Sequence, residues 1–352
     1  MEAATFRSAE AEGFTPLSLY PNFILPENQR PLLSQVQPLS SVPIIDMNGE
    51  DSTLAREVSL ACEEFGFFQV LNHGVPPDLC RKMMAAASEF FRLPREERAA
   101  LFTEDKTKAV RLTNYFIKVE GQENVSMWSE SFSHPWHPSD SGFTHLLPLN
   151  PPQYREAVAE YAKEMGGLMS RLLGLISLGL GLEKDCMEKK IGEDPRLVAQ
   201  VNYYPPCPDP ELTMGLPVHT DLNALTVLLQ SGGVRGLQVI KDGRWVAVDP
   251  VPDAFVVNLG DQIQVMSNGR YKSVHHRAVS NRAAGRMSVG MFYGPNSGTV
   301  VGPIEELLDE QHPPLYRSYL LGEFLREFHK QDGQRRMVKE LFQLHHHTTA
   351  TN

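Results

Sequence analysis

The chain has 352 residues, of which 41% are apolar and 22% charged, enough for a sizeable buried core in one large domain or two. Its net charge of −10 argues against nucleic acid or an anionic membrane as a partner, since both want clustered Lys and Arg. The longest apolar run, Leu172 to Leu182, is too short to span a bilayer, and MEAATFRSAEAEGF at the start lacks a signal-peptide pattern, so a soluble cytoplasmic protein is expected.

Residues 1–40 scatter Pro, Gln and Ser without periodicity and read as an extended arm. VPIIDM (42–47) suggests a buried strand. Ser52 can cap a helix carrying Leu54, Val58, Ala61, Cys62 and Phe65 at helical spacing, and Gly66 can end it before the strand-like FFQVLNH, 67–73. Asp78–Phe91 and Arg95–Phe102 are expected to be helical, and 103–150 irregular, with turns around Trp128, Trp136 and His145. From Tyr154 to about Leu180, apolar residues recur at i, i+3 and i+4 (Val158, Tyr161, Met165, Leu168, Leu172, Ile176), which predicts a long helix backing a sheet.

Beyond Arg196 the pattern changes to short β-rich runs: LVAQVNYY, ALTVLLQ, GLQVI, RWVAVD, AFVVNLG, QIQVMSN, YKSVHHRAV and RMSVGMFYG. Their spacing of about ten residues, with Gly, Pro, Asn and Asp between them, suggests a sandwich or jelly roll instead of alternating βα units. The last fifty residues return to helical patterning, and the triple histidine at 345–347 sits in a polar tail. The expected organisation is therefore an arm (1–40), an N-terminal mixed region (41–150), a backing helix and connector (151–194), a β domain (195–300), and C-terminal helices with a disordered tail (301–352). Cys62, Cys80, Cys186 and Cys207 form no CxxC pair, so free thiols are expected.

The run LPVHTDLNALTVLLQ (216–230) places His219 and Asp221 two positions apart. In an extended strand such residues share a face, side by side as imidazole and carboxylate. Two ligands hold a divalent ion weakly, and the two-histidine, one-carboxylate arrangement of non-haem iron needs another histidine from a distant strand. His275 and His276 are candidates, and being adjacent in a strand only one of them can serve. Arg286 and Ser288 follow on one face of another predicted strand. A guanidinium beside a hydroxyl suits a carboxylate ligand, through two parallel charge-assisted hydrogen bonds and a third from the hydroxyl. The competing reading is that Arg286 pairs with a local acid, but Asp261 and Glu305, the nearest in sequence, are about twenty residues away.

The motifs NYYPPCPDPEL (202–212), HTD (219–221), GLQV (236–239), NLGD (258–261), KSVHHRAVSN (272–281) and RMSVGMFYGP (286–295) together resemble the plant iron(II) and 2-oxoglutarate-dependent dioxygenases of specialised metabolism. VPIIDM and FGFFQVLNHGV resemble the same family's N-terminal region, so the resemblance covers about residues 40–330. It implies a mainly β fold, a double-stranded β-helix (jelly roll) with flanking helices. It also implies iron ligation by His219, Asp221 and His276, with His275 structural, and a 2-oxoglutarate grip by Arg286, Ser288, Tyr204 and Asn202. The implied reaction consumes O2, decarboxylates 2-oxoglutarate to succinate and CO2, and hydroxylates or desaturates a small substrate, with ascorbate as reductant.

Phe292, Ser131, Phe132 and Gly294 are expected to line the substrate pocket, with Met287, Val289 and Met291 facing away from it. GLEKD, GLPVHTDLNALTVLLQ and SNGRYKSVHHRAVSN resemble salicylate hydroxylases and flavanone-oxidising enzymes, and YYPPCPDP resembles tropane-alkaloid hydroxylases. The resemblance thus implies an aromatic or phenolic metabolite as substrate, with an alkaloid or other cyclic metabolite as the alternative; no long heptad or obvious sticky patch is readable, so a monomer is the default expectation. Two rival functions are a 2-oxoglutarate-independent oxidase, which would release no succinate, and a silent small-molecule binder, which would not need the intact ligand set.

Overall fold

The computed structural model describes residues 19–36, 42–105, 107–119, 123–331 and 338–344. Strand β1 (Ile44–Asp46), helix α1 (Asp51–Glu64) and strand β2 (Phe67–Leu71) come first, with β1 and β2 parallel. Ser52 does not cap α1. The helix starts earlier, from Glu50, which makes no side-chain cap bond, while Asp51 places negative charge in the electropositive first turn. The apolar stripe behaves as the spacing predicts: Leu54, Val58, Ala61 and Cys62 are buried.

Helices α2 (Pro77–Arg92) and α3 (Arg95–Ala99) follow. Residues 103–150 are not irregular as expected, for they carry β3 (Arg111–Thr113), β4 (Phe116–Ile117), β5 (Val125–Ser126) and β6 (Glu130–Pro135). The pattern ESFSHP hides β6 because both of its faces are buried, so no apolar-to-solvent alternation marks it. Helix α4 (Tyr154–Gly179) is the long helix predicted, and α5 (Cys186–Ile191) connects it to the β-rich half.

That half contains β7 (Arg196–Tyr204), β8 (Leu216–His219), β9 (Leu225–Gln230), β10 (Leu237–Lys241), β11 (Arg244–Ala247), β12 (Phe255–Leu259), α6 (Asp261–Met266), β13 (His276–Ala278) and β14 (Arg286–Gly294). QIQVMSN, expected as a strand, is α6. Gly260 takes the extended cap position, and the apolar residues of the run are all buried, which a single helical turn against a core satisfies as well as a strand does. The hairpin-like pair β15 (Val300–Val301) and β16 (Tyr319–Leu320) and helix α7 (Leu321–Lys330) close the described chain, before a short 3-10 turn at Val338–Phe342.

The strands assemble into an eight-stranded sheet, β1-β2-β12-β9-β14-β7-β6-β3, and a four-stranded sheet, β11-β10-β13-β8. Four strands of the larger sheet come from before residue 150, so that region is woven into the β core. Alternation along β14 sorts its side chains. Met287, Val289 and Met291 join Leu172, Leu173 and Ile176 of α4 and Phe90 of α2 in the main apolar core. Each such side chain, fully buried, contributes roughly 1.5–3 kcal/mol. The opposite face turns toward the smaller sheet, and Phe67 and Val256 of one sheet meet Leu237, Val239 and Val246 of the other in a second core. This is the expected jelly roll with flanking helices, its floor built by the helices and its interior left to other residues.

The part of the expected arm that is described, 19–36, forms three short 3-10 turns and is anchored by the Leu25 amide on the Leu212 carbonyl (2.9 Å) and by Phe23 edge-on to Trp128. The triple histidine and the polar tail lie outside the described residues. All four cysteines are free, as expected, and among the described residues no helix is long and apolar enough to cross a membrane.

Candidate active site

His219 ends β8 and His276 begins β13, and the two are direct partners in the antiparallel register, with ring centroids 4.1 Å apart. Asp221 reaches them by a different route from the one the spacing suggests. It lies beyond the end of β8, in a turn, not on the strand face. The turn is held because the Asp261 amide donates to the Asp221 carbonyl (2.7 Å) and because Gly260 lets the chain pass: a Cβ there would lie 1.9 Å from the Asn223 carbonyl oxygen. The outcome is the predicted cluster. Asp221 Oδ1 is 3.7 Å from His219 Nε2 and 3.6 Å from His276 Nε2.

The surrounding hydrogen bonds orient every donor inward. His219 Nδ1 pairs with the Pro217 carbonyl (2.8 Å) and His276 Nδ1 with the Val274 carbonyl (3.3 Å), so each Nδ1 carries the proton and each Nε2 presents a lone pair. Asp221 Oδ2 accepts from Thr226 Oγ1 (2.6 Å) and Asn258 Nδ2 (2.7 Å), leaving Oδ1 for the cluster. Burial, then His219, lower the His276 pKa to about 4, which keeps that imidazole neutral. Burial alone would raise the Asp221 carboxyl, but His276, His219 and the two hydrogen bonds together hold it below the usual range. Two imidazoles and one carboxylate, with all three ligand atoms within 4.8 Å of one another, fit a divalent metal such as ferrous iron. His275 is outside this group.

Arg286 pairs in register with Tyr204, and Ser288 with Asn202 on one side and Gln230 on the other. All of them except Gln230 are buried. The Arg286 guanidinium lies 5.2 Å from the Tyr204 ring and donates to Gln230 Oε1 (3.0 Å), while its buried Nε has no partner. No described acid lies within ion-pair reach of it, so the local-acid reading is not realised. Burial lowers its pKa, the mark of a cation held without a counter-charge.

The pocket residues divide. Ser131 pairs with Asn202 and donates to its Oδ1 (2.6 Å), in a polar network with Gln200, Ser133 and Tyr115. Phe292 is half-buried on the Ser288 face. Phe132 does not line this space: alternation along β6 turns it to the helices, where it stacks on Phe90 at 4.3 Å. Gly294 serves packing, not lining, because a Cβ there would lie 3.1 Å from the Ala224 amide in the segment that follows Asp221.

Thr226, Asn258 and Gln230, which hydrogen-bond Asp221 and Arg286, were not singled out from the sequence. Their signal was available: each is a polar residue in a largely apolar strand run, and Thr226 and Asn258 are buried, where polar groups need partners.

Residues 196–295 match the 2OG-Fe(II) oxygenase superfamily, and residues 42–153 match the family of the non-haem dioxygenase in morphine synthesis N-terminal region. The chain belongs to the plant 2-oxoglutarate and iron(II)-dependent dioxygenases, and it is an oxidoreductase that uses iron(II), 2-oxoglutarate and O2 on a small-molecule substrate. It is 44% identical to Protein DOWNY MILDEW RESISTANCE 6 of Arabidopsis thaliana, over 90% of this chain and 93% of that one. It is 42% identical to Flavanone 3-dioxygenase 2 of Oryza sativa subsp. japonica, over 91% and 93%. In fold it is similar to JOX2 solved with 2OG, Fe and JA, with a TM-score of 0.83, 34% identity and coverage of 93% and 94%.

Proposed function

We propose that His219, Asp221 and His276 hold the iron, that Arg286, Ser288, Tyr204 and Asn202 hold 2-oxoglutarate, and that the substrate is a small aromatic or phenolic metabolite, flavanone- or salicylate-like. The observation that carries the co-substrate reading is the buried guanidinium with no acid beside it. A buried cation is costly unless a counter-charge arrives, and the distal carboxylate of 2-oxoglutarate would supply one, with the Ser288 and Tyr204 hydroxyls beside it. Bound iron(II) supplies dioxygen activation and C–H oxidation, coupled to the decarboxylation of 2-oxoglutarate to succinate and CO2.

The chain's own task is to place the substrate C–H bond and exclude other groups. Phe292 offers a face for a flat ring. Asn202 Oδ1 accepts from both Ser131 and Gln200, which fixes the amide so that its N–H2 group is left to donate. An apolar face beside fixed polar groups suits a hydroxylated aromatic, and the names of the flavanone 3-dioxygenase and flavonol synthase relatives agree with that class. The complete donor set comes from one chain, as a monomer requires, and four free thiols suit a cytoplasmic setting.

Anaerobic titration with iron(II) and then 2-oxoglutarate, followed by phenolic and alkaloid panels, tests this reading. The expected result is a visible charge-transfer band that forms with 2-oxoglutarate and shifts with phenolics, and succinate release coupled to phenolic oxidation. A band that shifts only with alkaloids would replace the substrate class, and no band would overturn the co-substrate assignment.

A further inference from the structure

The buried Lys339, near the C-terminal end of the described chain, plays no part in the site as described above. Its ammonium donates to Asp261 Oδ1 (2.9 Å) and to the Ser273 carbonyl (2.8 Å), and the Lys339 and Asp261 side chains are 10% and 1% exposed. Both partners lead to the ligands. Asp261 Oδ2 accepts from the Thr220 hydroxyl (3.1 Å), and Thr220 stands between His219 and Asp221. The Asp261 amide holds the Asp221 carbonyl, and Ser273 precedes His276 by three residues on the segment that enters β13.

One ammonium therefore holds the segment that enters β13 directly and the segment of His219 and Asp221 through Asp261, so its contacts lead to all three ligands. The segment bearing it is itself docked: Phe342 packs on Tyr319 (4.2 Å) and Phe324 (5.7 Å), and the Arg317 amide donates to the Phe342 carbonyl (2.9 Å). A buried carboxylate without its cation would be left uncompensated and would shift, and the segment that carries Asp221 would move with it.

We infer that Lys339 is a positioning residue of the metal centre, acting through Asp261 and Thr220 on one side and through the Ser273 carbonyl on the other, so that the C-terminal segment sets metal affinity. This rests on the reading that His219, Asp221 and His276 hold the metal. The test is titration of the full-length apo-protein with Co(II), followed by its visible absorption, for the unmodified chain, Lys339→Met, Thr220→Val and the double variant. Support groups for a metal site are commonly worth 10–100-fold in affinity, so each single variant is expected to weaken Co(II) by about tenfold or more. The loss in the double variant should stay near that of the worse single variant, well short of the product of the two, because both act along one chain of contacts.

A purely structural role for Lys339 would lower thermal stability without moving the Co(II) dissociation constant, and that result overturns the inference, as do losses that multiply fully in the double variant. If Lys339→Met does not fold, Thr220→Val decides alone, since it exchanges a hydroxyl for a methyl and leaves the packing in place: unchanged affinity overturns the inference and a tenfold loss supports it. Failure of the unmodified chain to bind Co(II) overturns both this inference and the ligand assignment, whereas binding that the variants leave unchanged overturns this inference alone.

Discussion

Replacing Arg286 with methionine should separate stability from function. Arg286 is 4% exposed, with an unpartnered Nε and no described acid within reach, so the ligand-free protein keeps a cation in its interior with Gln230 and the Tyr204 ring beside it but without a counter-charge. Leaving a buried polar or charged group unsatisfied costs about 1–3 kcal/mol, and the apolar, similarly long methionine removes that cost. Arg286→Met should therefore leave the apo-protein as stable as the parent, or more stable by about 1–3 kcal/mol. For 2-oxoglutarate the sign reverses. Truncating one partner of a buried, hydrogen-bonded charge pair costs about 2–5 kcal/mol, or roughly 30-fold to several thousand-fold in dissociation constant at about 1.4 kcal/mol per tenfold. Urea unfolding of the apo-protein gives the first quantity, and calorimetric titration of the Mn(II)-loaded protein with 2-oxoglutarate gives the second. Mn(II) affinity itself should stay within about threefold, because Arg286 contacts none of the ligands. An apo-protein destabilised by several kcal/mol, or a 2-oxoglutarate affinity within fivefold of the parent, would refute the reasoning.

Asn258→Leu removes one of the two donors that hold Asp221 Oδ2, and metal affinity measured by Co(II) titration should fall about 10–100-fold while the fold survives. Glu130→Ala strands the Arg98 guanidinium, which is buried against Glu130 and bonded otherwise to the Leu93 carbonyl, and should cost about 3–5 kcal/mol in a urea melt. His134 is buried with its Nδ1 on the Pro135 carbonyl and its Nε2 accepting from the Tyr154 hydroxyl, and burial lowers its pKa to about 4. A histidine depressed in the folded state protonates first in the unfolded chain, so its contribution is intact above about pH 6.5 and is lost as pH falls toward 4. Between about pH 7 and about pH 5 the parent should lose roughly 2 kcal/mol more than His134→Gln, and equal losses would contradict the assignment.

Much of the site was legible in the sequence because its chemistry is carried by residue types that have few other uses in such settings. A histidine and an aspartate in an uncharged run, a second histidine in a later strand, and an arginine and serine two apart already suggest a metal site and a carboxylate grip, and the family resemblance is what selects His276 over His275. The period of the apolar residues likewise determined α4 and the inward and outward faces of β14, since side-chain direction follows from backbone geometry alone. Tertiary structure decided what depends on residues distant in the chain. It made QIQVMSN a helix and ESFSHP a strand, because burial on all sides erases the period that separates the two. It turned Phe132 toward Phe90, brought Asp221 to the histidines through a turn held by Gly260 and the Asp261 amide, and set Lys339 against Asp261 across 78 positions of sequence. Sequence determines which groups a chain can bring to a site. Which of them meet is decided by packing, where each buried polar atom must find its partner wherever the fold puts one.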